Sequence, residues 1–239
     1  MNNRRTLIAA IVGGALLLGA AGLGIIYFVV FAGSSPQKLA LSSPTPSTSA
    51  STSPDSSAGA GTWTIGSGSQ AGYRVREKLA ALSAPSDAVG RTTAVTGTFT
   101  LTQAASGYSV TAADITVDVT KLSSDQSRRD QRIHSQGLQS DRYPTATFEL
   151  TSPIALTADA TSGQTVHTSA TGDLTIHGVT KSVNIPIDAR LTGSEIELVG
   201  SISFPFSQFG MTPPSIGGFV SVQNTATMEF QLLLTRQGA

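Results

Sequence analysis

Cysteine is absent from the 239 residues, so the chain has no disulfide, no thiolate nucleophile and no lipid-modified cysteine to anchor it. Histidine occurs only three times, at His134, His167 and His177, without the spacing of metal ligands. Charge is sparse, at 13% of residues, and sums to zero. From Thr62 onward there are 12 basic and 14 acidic side chains, which gives no argument for nucleic acid as a partner. HExxH, GxSxG and P-loop motifs are missing, as is any Asn-x-Ser/Thr acceptor. Gly66-Ser67-Gly68-Ser69-Gln70-Ala71 superficially fits GxGxxA, but the residues after it alternate like a strand instead of opening a helix. Neither a catalytic set, nor a metal, nor a redox cofactor is therefore expected.

Long apolar runs are also missing, with one exception. Leu7 to Ala32 carries no charge over 26 residues, enough to cross a ~30 Å hydrocarbon core at ~1.5 Å per residue. Arg4 and Arg5 precede it, and Lys38 is the first cation after it, which predicts a cytoplasmic N-terminus with the rest outside. The alternative is secretion after cleavage near Ala32. The run is much longer than the apolar core of a signal peptide, which favours an uncleaved signal-anchor.

Gly33 to Gly61 is dominated by Ser, Thr, Pro, Ala and Gly, which cannot bury enough apolar surface to offset the entropy of ordering. The chain is thus read as a cytoplasmic N-terminus (1–6), a transmembrane signal-anchor helix (7–32), a disordered linker (33–61) and one domain (62–239).

Within that domain the apolar residues recur with period two. Tyr73 and Val75 alternate with arginines; Phe99 and Leu101 alternate with threonines. Val183, Ile185, Ile187, Ala189 and Leu191 form the longest stripe, and Met228, Phe230, Leu232 and Leu234 the last. These are half-buried strands, with turns expected at Gly107, Gly163, Gly178 and Gly193. Leu122 to Asp141 breaks the pattern: Ser123 or Ser124 is positioned to cap a helix running toward Ser135, and Gly137 to end it. The expected fold class is all-β, with about eight antiparallel strands and one short helical insertion. A sheet of that length removes its edges by closing into a barrel. Such a barrel is either filled by side chains or holds one small ligand.

Three features bear on that choice. Arg128, Arg129, Arg132, His134 and Arg142 concentrate charge, either as an anionic headgroup site or, preferred, as ion pairs with Asp125, Asp130 and Asp141. The apolar residues of Ser203 to Val220 (SFPFSQFGMTPPSIGGFV) are either ordinary core or a cavity wall, and periodicity leaves both open. His177, at a hairpin turn, reads as satisfying backbone groups in preference to a metal or catalytic role.

Trp63-Thr64-Ile65, Val95-Thr96-Gly97-Thr98-Phe99, Arg129-Asp130, Tyr143-Pro144-Thr145-Ala146-Thr147-Phe148, Gly172-Asp173-Leu174-Thr175-Ile176-His177-Gly178-Val179-Thr180 and Phe209-Gly210-Met211 occur in an order that resembles the YceI-like family. The resemblance spans nearly all of 62–235. It departs at Arg132, where the family often has His, and at Gly137–Ser140, before Tyr143-Pro144.

The resemblance implies a lipocalin-like barrel, outside the cytoplasm, that binds a polyisoprenoid without catalysis. The expected ligand is a long-chain apolar lipid, such as an isoprenoid quinone or polyprenyl lipid, bound for storage or transport. The expected pocket contacts are Tyr73, Val75, Phe99, Ile133, Leu138, Phe148, Leu174, Ile185, Phe204, Phe206, Phe209 and Phe219. Arg132 and Arg142 are the candidate headgroup contacts, and the membrane is the expected partner of the N-terminal helix. The alternative is a cell-surface interaction or structural domain whose barrel is filled.

Overall fold

The computed structural model describes residues 35–43, 59–79, 86–105, 107–214 and 220–237. Eleven strands follow one another: β1 Gly61–Ile65, β2 Gln70–Leu79, β3 Ser86–Thr92, β4 Val95–Ala104, β5 Gly107–Asp118, β6 Thr145–Leu150, β7 Ile154–Thr157, β8 Val166–Ile176, β9 Val179–Thr192, β10 Glu195–Phe204 and β11 Val220–Arg236. Every pairing is antiparallel. Eight strands close on themselves in the order β1-β4-β5-β6-β8-β9-β10-β11 and back to β1, so the expected barrel is present.

Closure depends on the length of β11. Its last residues pair with β1, Ile65 opposite Leu234, while its earlier part pairs with β2, from Gln70 opposite Gln231 to Leu79 opposite Val220. The β2–β3 hairpin therefore extends the wall at one end. An antiparallel bridge between Arg91 and Ser123 ties the outer edge of β3 to the connection that follows β5. Trp63 is 1% exposed and donates its indole N–H to the Gly59 carbonyl at 3.1 Å, which fixes the entry of the chain into β1.

The β8–β9 turn shows how sequence sets register. Ile176 pairs with Val179 across the two-residue loop His177-Gly178. Both loop residues are left-handed, with φ 53° and 73°, as a type I′ turn requires. Of the other turns expected at glycine, Gly163 and Gly193 are left-handed as well, while Gly107 has φ 142° and opens β5.

The helical insertion is shorter than expected. Helix α1 covers only Ser127–Arg132, and a π turn over Ile133–Gly137 completes it. Neither Ser123 nor Ser124 caps it. Instead the Asp130 carboxylate accepts from the Ser124 amide at 2.9 Å and the Ser124 hydroxyl at 2.6 Å, which folds the approach segment back onto the helix.

No helix among the described residues is long and apolar enough to cross a membrane, and the 7–32 run lies outside the described residues. Part of the compositional linker has a fixed course: Gln37–Ser42 hydrogen-bonds to side chains on the outside of the barrel.

Candidate functional site: an apolar interior in two chambers

Strand parity sends one apolar stripe from each barrel strand inward, and the stripes do not fill the space they enclose. The larger chamber contains about 1080 Å³ free of protein atoms, counting the part open to solvent. The smaller contains about 710 Å³ on the same measure. Ala71, Val117, Ala146 and Met228 belong to the walls of both chambers, so the two adjoin.

Three aromatic rings explain part of the space. A Cβ on Gly90 would lie 2.3 Å from the ring of Tyr73, on Gly172 2.5 Å from Phe148 Cζ, and on Gly200 2.5 Å from Phe230 Cζ. Each ring lies sideways over a glycine of the wall, two of them the cross-strand partner, instead of standing up into the lumen. In sequence these glycines read as interruptions of a strand; in the barrel they are seats for side chains that would otherwise fill it.

The structure brings ten of the twelve expected pocket residues to this interior. Phe99, Phe148, Leu174 and Ile185 line the larger chamber. Tyr73, Val75, Ile133, Leu138, Phe204 and Phe206 line the smaller one. Phe209 does not. It is fully buried at the end of the turn Phe206–Phe209, with its ring centroid 4.7 Å from that of Phe204, so it supports the wall from behind. Phe219 lies outside the described residues. Leu198, Met228, Phe230 and Leu232 line the walls without having been singled out, although their parity marked them as inward.

Polar groups gather at the smaller chamber, beside α1. Burial is the main reason that the Tyr73 hydroxyl keeps its proton well above the usual phenol range. Arg129 opposes that shift, while Asp130, Glu77 and Asp125 add to it. The hydroxyl makes no hydrogen bond among the described residues. Arg129 pairs with Glu77 at 3.2 Å and with Asp125 one helical turn before it. Burial would lower the Arg129 value, but Glu77 and Asp125 raise it further, so this guanidinium is committed to its own carboxylates.

The ion-pair reading of the arginine cluster therefore describes Arg129, with Glu77 in place of the expected Asp130, whose carboxylate holds Ser124. The expected headgroup contacts do not reach the interior. Arg132 is half-buried outside both chamber walls, and Arg142 is exposed, with its guanidinium 5.2 Å from the ring centroid of Tyr143.

The histidines serve the fold. His134 Nε2 lies 2.9 Å from the Leu122 carbonyl and Nδ1 2.9 Å from the Ser140 hydroxyl, which requires the proton on Nε2 and lets Nδ1 accept from the serine. His177 donates from Nδ1 to the Phe209 carbonyl at 3.3 Å and packs against Tyr143, with ring centroids 4.5 Å apart, so it joins the hairpin turn to the Phe206–Phe209 turn. Its Nε2 is buried without a partner among the described residues. His167 pairs with Asp188 between β8 and β9, both side chains being largely exposed. Among the described residues no three His, Asp or Glu side chains converge as metal ligands.

The family model described as YceI-like domain matches residues 63–234. A polyisoprenoid binding domain from Saccharophagus degradans, implicated in plant cell wall breakdown, shares the fold at a TM-score of 0.55 and 14% identity, over 73% of this chain and 98% of its own. BcnA of Burkholderia cenocepacia aligns at a TM-score of 0.47 and 19% identity, over 67% of this chain and 95% of its own. The Campylobacter jejuni YceI protein aligns at 0.46 and 16%, over 58% and 80%. At these identities the likeness concerns the fold. No curated protein matches the sequence.

Proposed function

The chain belongs to the YceI-like family, and from that premise we propose that it binds a long-chain apolar lipid, an isoprenoid quinone or polyprenyl lipid, inside its barrel and outside the cytoplasm. The observation that carries this reading is the pair of adjoining chambers with almost wholly apolar walls. Water needs two to four polar partners to be held in a cavity, and these walls offer few. Burial of apolar surface at ~25 cal/mol per Å² therefore drives an apolar chain in with little ordered water to displace.

The surroundings of Tyr73 favour a neutral head on that chain. One cation faces three carboxylates there, and the cation is already paired. A phosphate would meet net repulsion, whereas a quinone carbonyl would accept from the Tyr73 hydroxyl. Arg4, Arg5 and the apolar run 7–32 support a single-pass membrane protein with the barrel on the far side, storing the lipid or moving it near the bilayer.

The test is organic extraction of the purified full chain followed by mass spectrometry. A polyisoprenoid bound near one per chain is expected. A lipid-free protein that also fails to take up added quinone or polyprenol would end the proposal.

A further inference from the structure

We propose that a polar row on the outside of the barrel, running across β3, β2, β11, β10 and β9, is a docking groove for the chain's own segment Gln37–Ser42. Its consequence is a shorter free stretch of chain between the 7–32 run and the barrel. The docking stands on geometry alone; its consequence at the membrane rests on the anchor reading above.

The row is built on two buried carboxylates. Glu229 is 2% exposed and accepts from Arg74 at 3.2 and 3.3 Å and from Arg91 at 3.2 and 2.8 Å. Gly72 lies between Arg91 and Glu229 in register, and a Cβ there would sit 2.9 Å from Arg91 Cγ, so the glycine lets the arginine cross β2. Glu197 is 6% exposed and accepts from Arg190 at 3.2 Å and from Gln231 at 2.7 Å.

The segment completes this row. The Ser42 amide and hydroxyl both donate to Glu197 Oε1 at 2.9 Å. Gln231 donates to the Ala40 carbonyl at 3.2 Å, Arg190 to the Ser42 carbonyl, and Arg91 to the Gln37 carbonyl. Three of these contacts take backbone carbonyls, so the groove reads extended main chain. Leu39 and Leu41 are half-buried in the same stretch.

The consequence is a change of reach. Only four residues, Gly33 to Pro36, separate the apolar run from the docked segment. At ~3.5 Å per residue they span at most roughly 18 Å. If the segment were free, the chain from Gly33 to β1 would span up to roughly 100 Å at the same rise. Docking converts a long tether into a short one.

Lys38 offers the test, because trypsin needs its target bond in a free, extended segment. The full chain, reconstituted in phosphatidylcholine vesicles, is digested beside a synthetic peptide of residues 35–46, and the fragment beginning at Leu39 is followed by mass spectrometry. Cleavage in the full chain is expected to be at least about tenfold slower than in the peptide. Ser42→Pro removes both donors to Glu197 from a residue outside the barrel, so barrel folding is not at stake; it should restore the peptide rate, with Ser42→Ala in between. Native cleavage as fast as in the peptide, or Ser42→Pro no faster than native, overturns the docking. Sedimentation of the vesicles reports separately on the anchor: the cut barrel leaves the vesicles if residues 7–32 hold it there, whatever the rate of the cut.

Discussion

The inner and outer faces of β9, β10 and β11 come from the same strands, one residue apart, and have opposite designs. Inside, Ile185, Leu198 and Phe230 border space that no described residue fills. Outside, Glu197 and Glu229 are buried and Arg190 is half-buried in a row where nearly every polar atom is used, Arg190 Nε being without a partner among the described residues. Stability in a closed barrel need not come from a packed interior. Here the hydrogen-bonded wall closes the molecule and the outer row braces it, which leaves the lumen free to be apolar and underfilled.

The largest expected effect breaks the outer half of this comparison. Glu229→Ala leaves Arg74, 7% exposed, and Arg91 without their shared carboxylate. The cost should be about 2–4 kcal/mol: Arg74 keeps Asp87, but both guanidiniums lose the buried carboxylate that they share. Met228→Ala, the inward neighbour, borders both chambers and enlarges space that already exists, so it should cost only about 1–2 kcal/mol. Urea midpoints measure both. Equal losses would mean that the lumen is as tightly packed as the outer row.

The next effect concerns binding in place of stability. Ala170 is buried in the wall of the larger chamber, and Ser169 beside it is exposed. Ala170→Phe should reduce co-purifying lipid at least about tenfold by filling the lumen, while Ser169→Phe leaves it unchanged. Loss of lipid in both variants would point to a general defect of β8 and not to an occupied chamber.

A smaller effect separates the two chambers. Tyr73→Phe removes a hydroxyl from the wall of the smaller chamber, where Arg129, Asp130, Glu77 and Asp125 act on it. Affinity for a polyprenyl quinone should fall about fivefold, the value of ~1 kcal/mol for one hydrogen bond, with no change for a hydrocarbon of the same length. Equal losses for both ligands would place the quinone head elsewhere.

The inner face was legible in the sequence because period-two alternation reports burial directly, as in the Ile185–Ala189 and Met228–Leu234 stripes. The two-residue turn His177-Gly178 was equally readable, since few residues tolerate left-handed backbone. Phe209 was misplaced in the pocket because composition cannot say which side of a wall a ring in a turn will face. The helix was overextended because Ser124, a good cap in isolation, is claimed by the Asp130 carboxylate. The open lumen was left undecided because strand alternation looks the same whether a ring points inward or lies over a cross-strand glycine, as Phe230 does over Gly200. The docked segment was invisible for another reason. Its composition is that of a linker, and its partners lie 54 to 191 residues away.

The smallest expected effect tests the outer row through acid. Burial alone would raise the Glu197 carboxyl, but hydrogen bonds from Gln231 and Ser42, with the Arg190 charge, outweigh it and hold the group below its ordinary value of 4.5. A depressed folded value means that the ionised group stabilises the docked state above that ordinary value and ceases to do so as pH falls through the folded one. Between pH 6 and 8 docking should be insensitive to pH; toward pH 3 it should loosen. Exchange of the Ser42 amide, corrected for the intrinsic rate at each pH, reads this at its donor. Asp87 is also held below its ordinary value, by Arg76 and Arg74 against the opposing effect of burial, and Asp118 by hydrogen bonds from Thr120, so acid acts on other carboxylate sites in the same window. Glu197→Gln separates them: it abolishes the change at Ser42 and spares any change at β3. If Ser42 exchange is flat from pH 7 to 3 in the native chain, Glu197 does not hold the segment through its charge. The docking would then depend on the three carbonyl contacts alone.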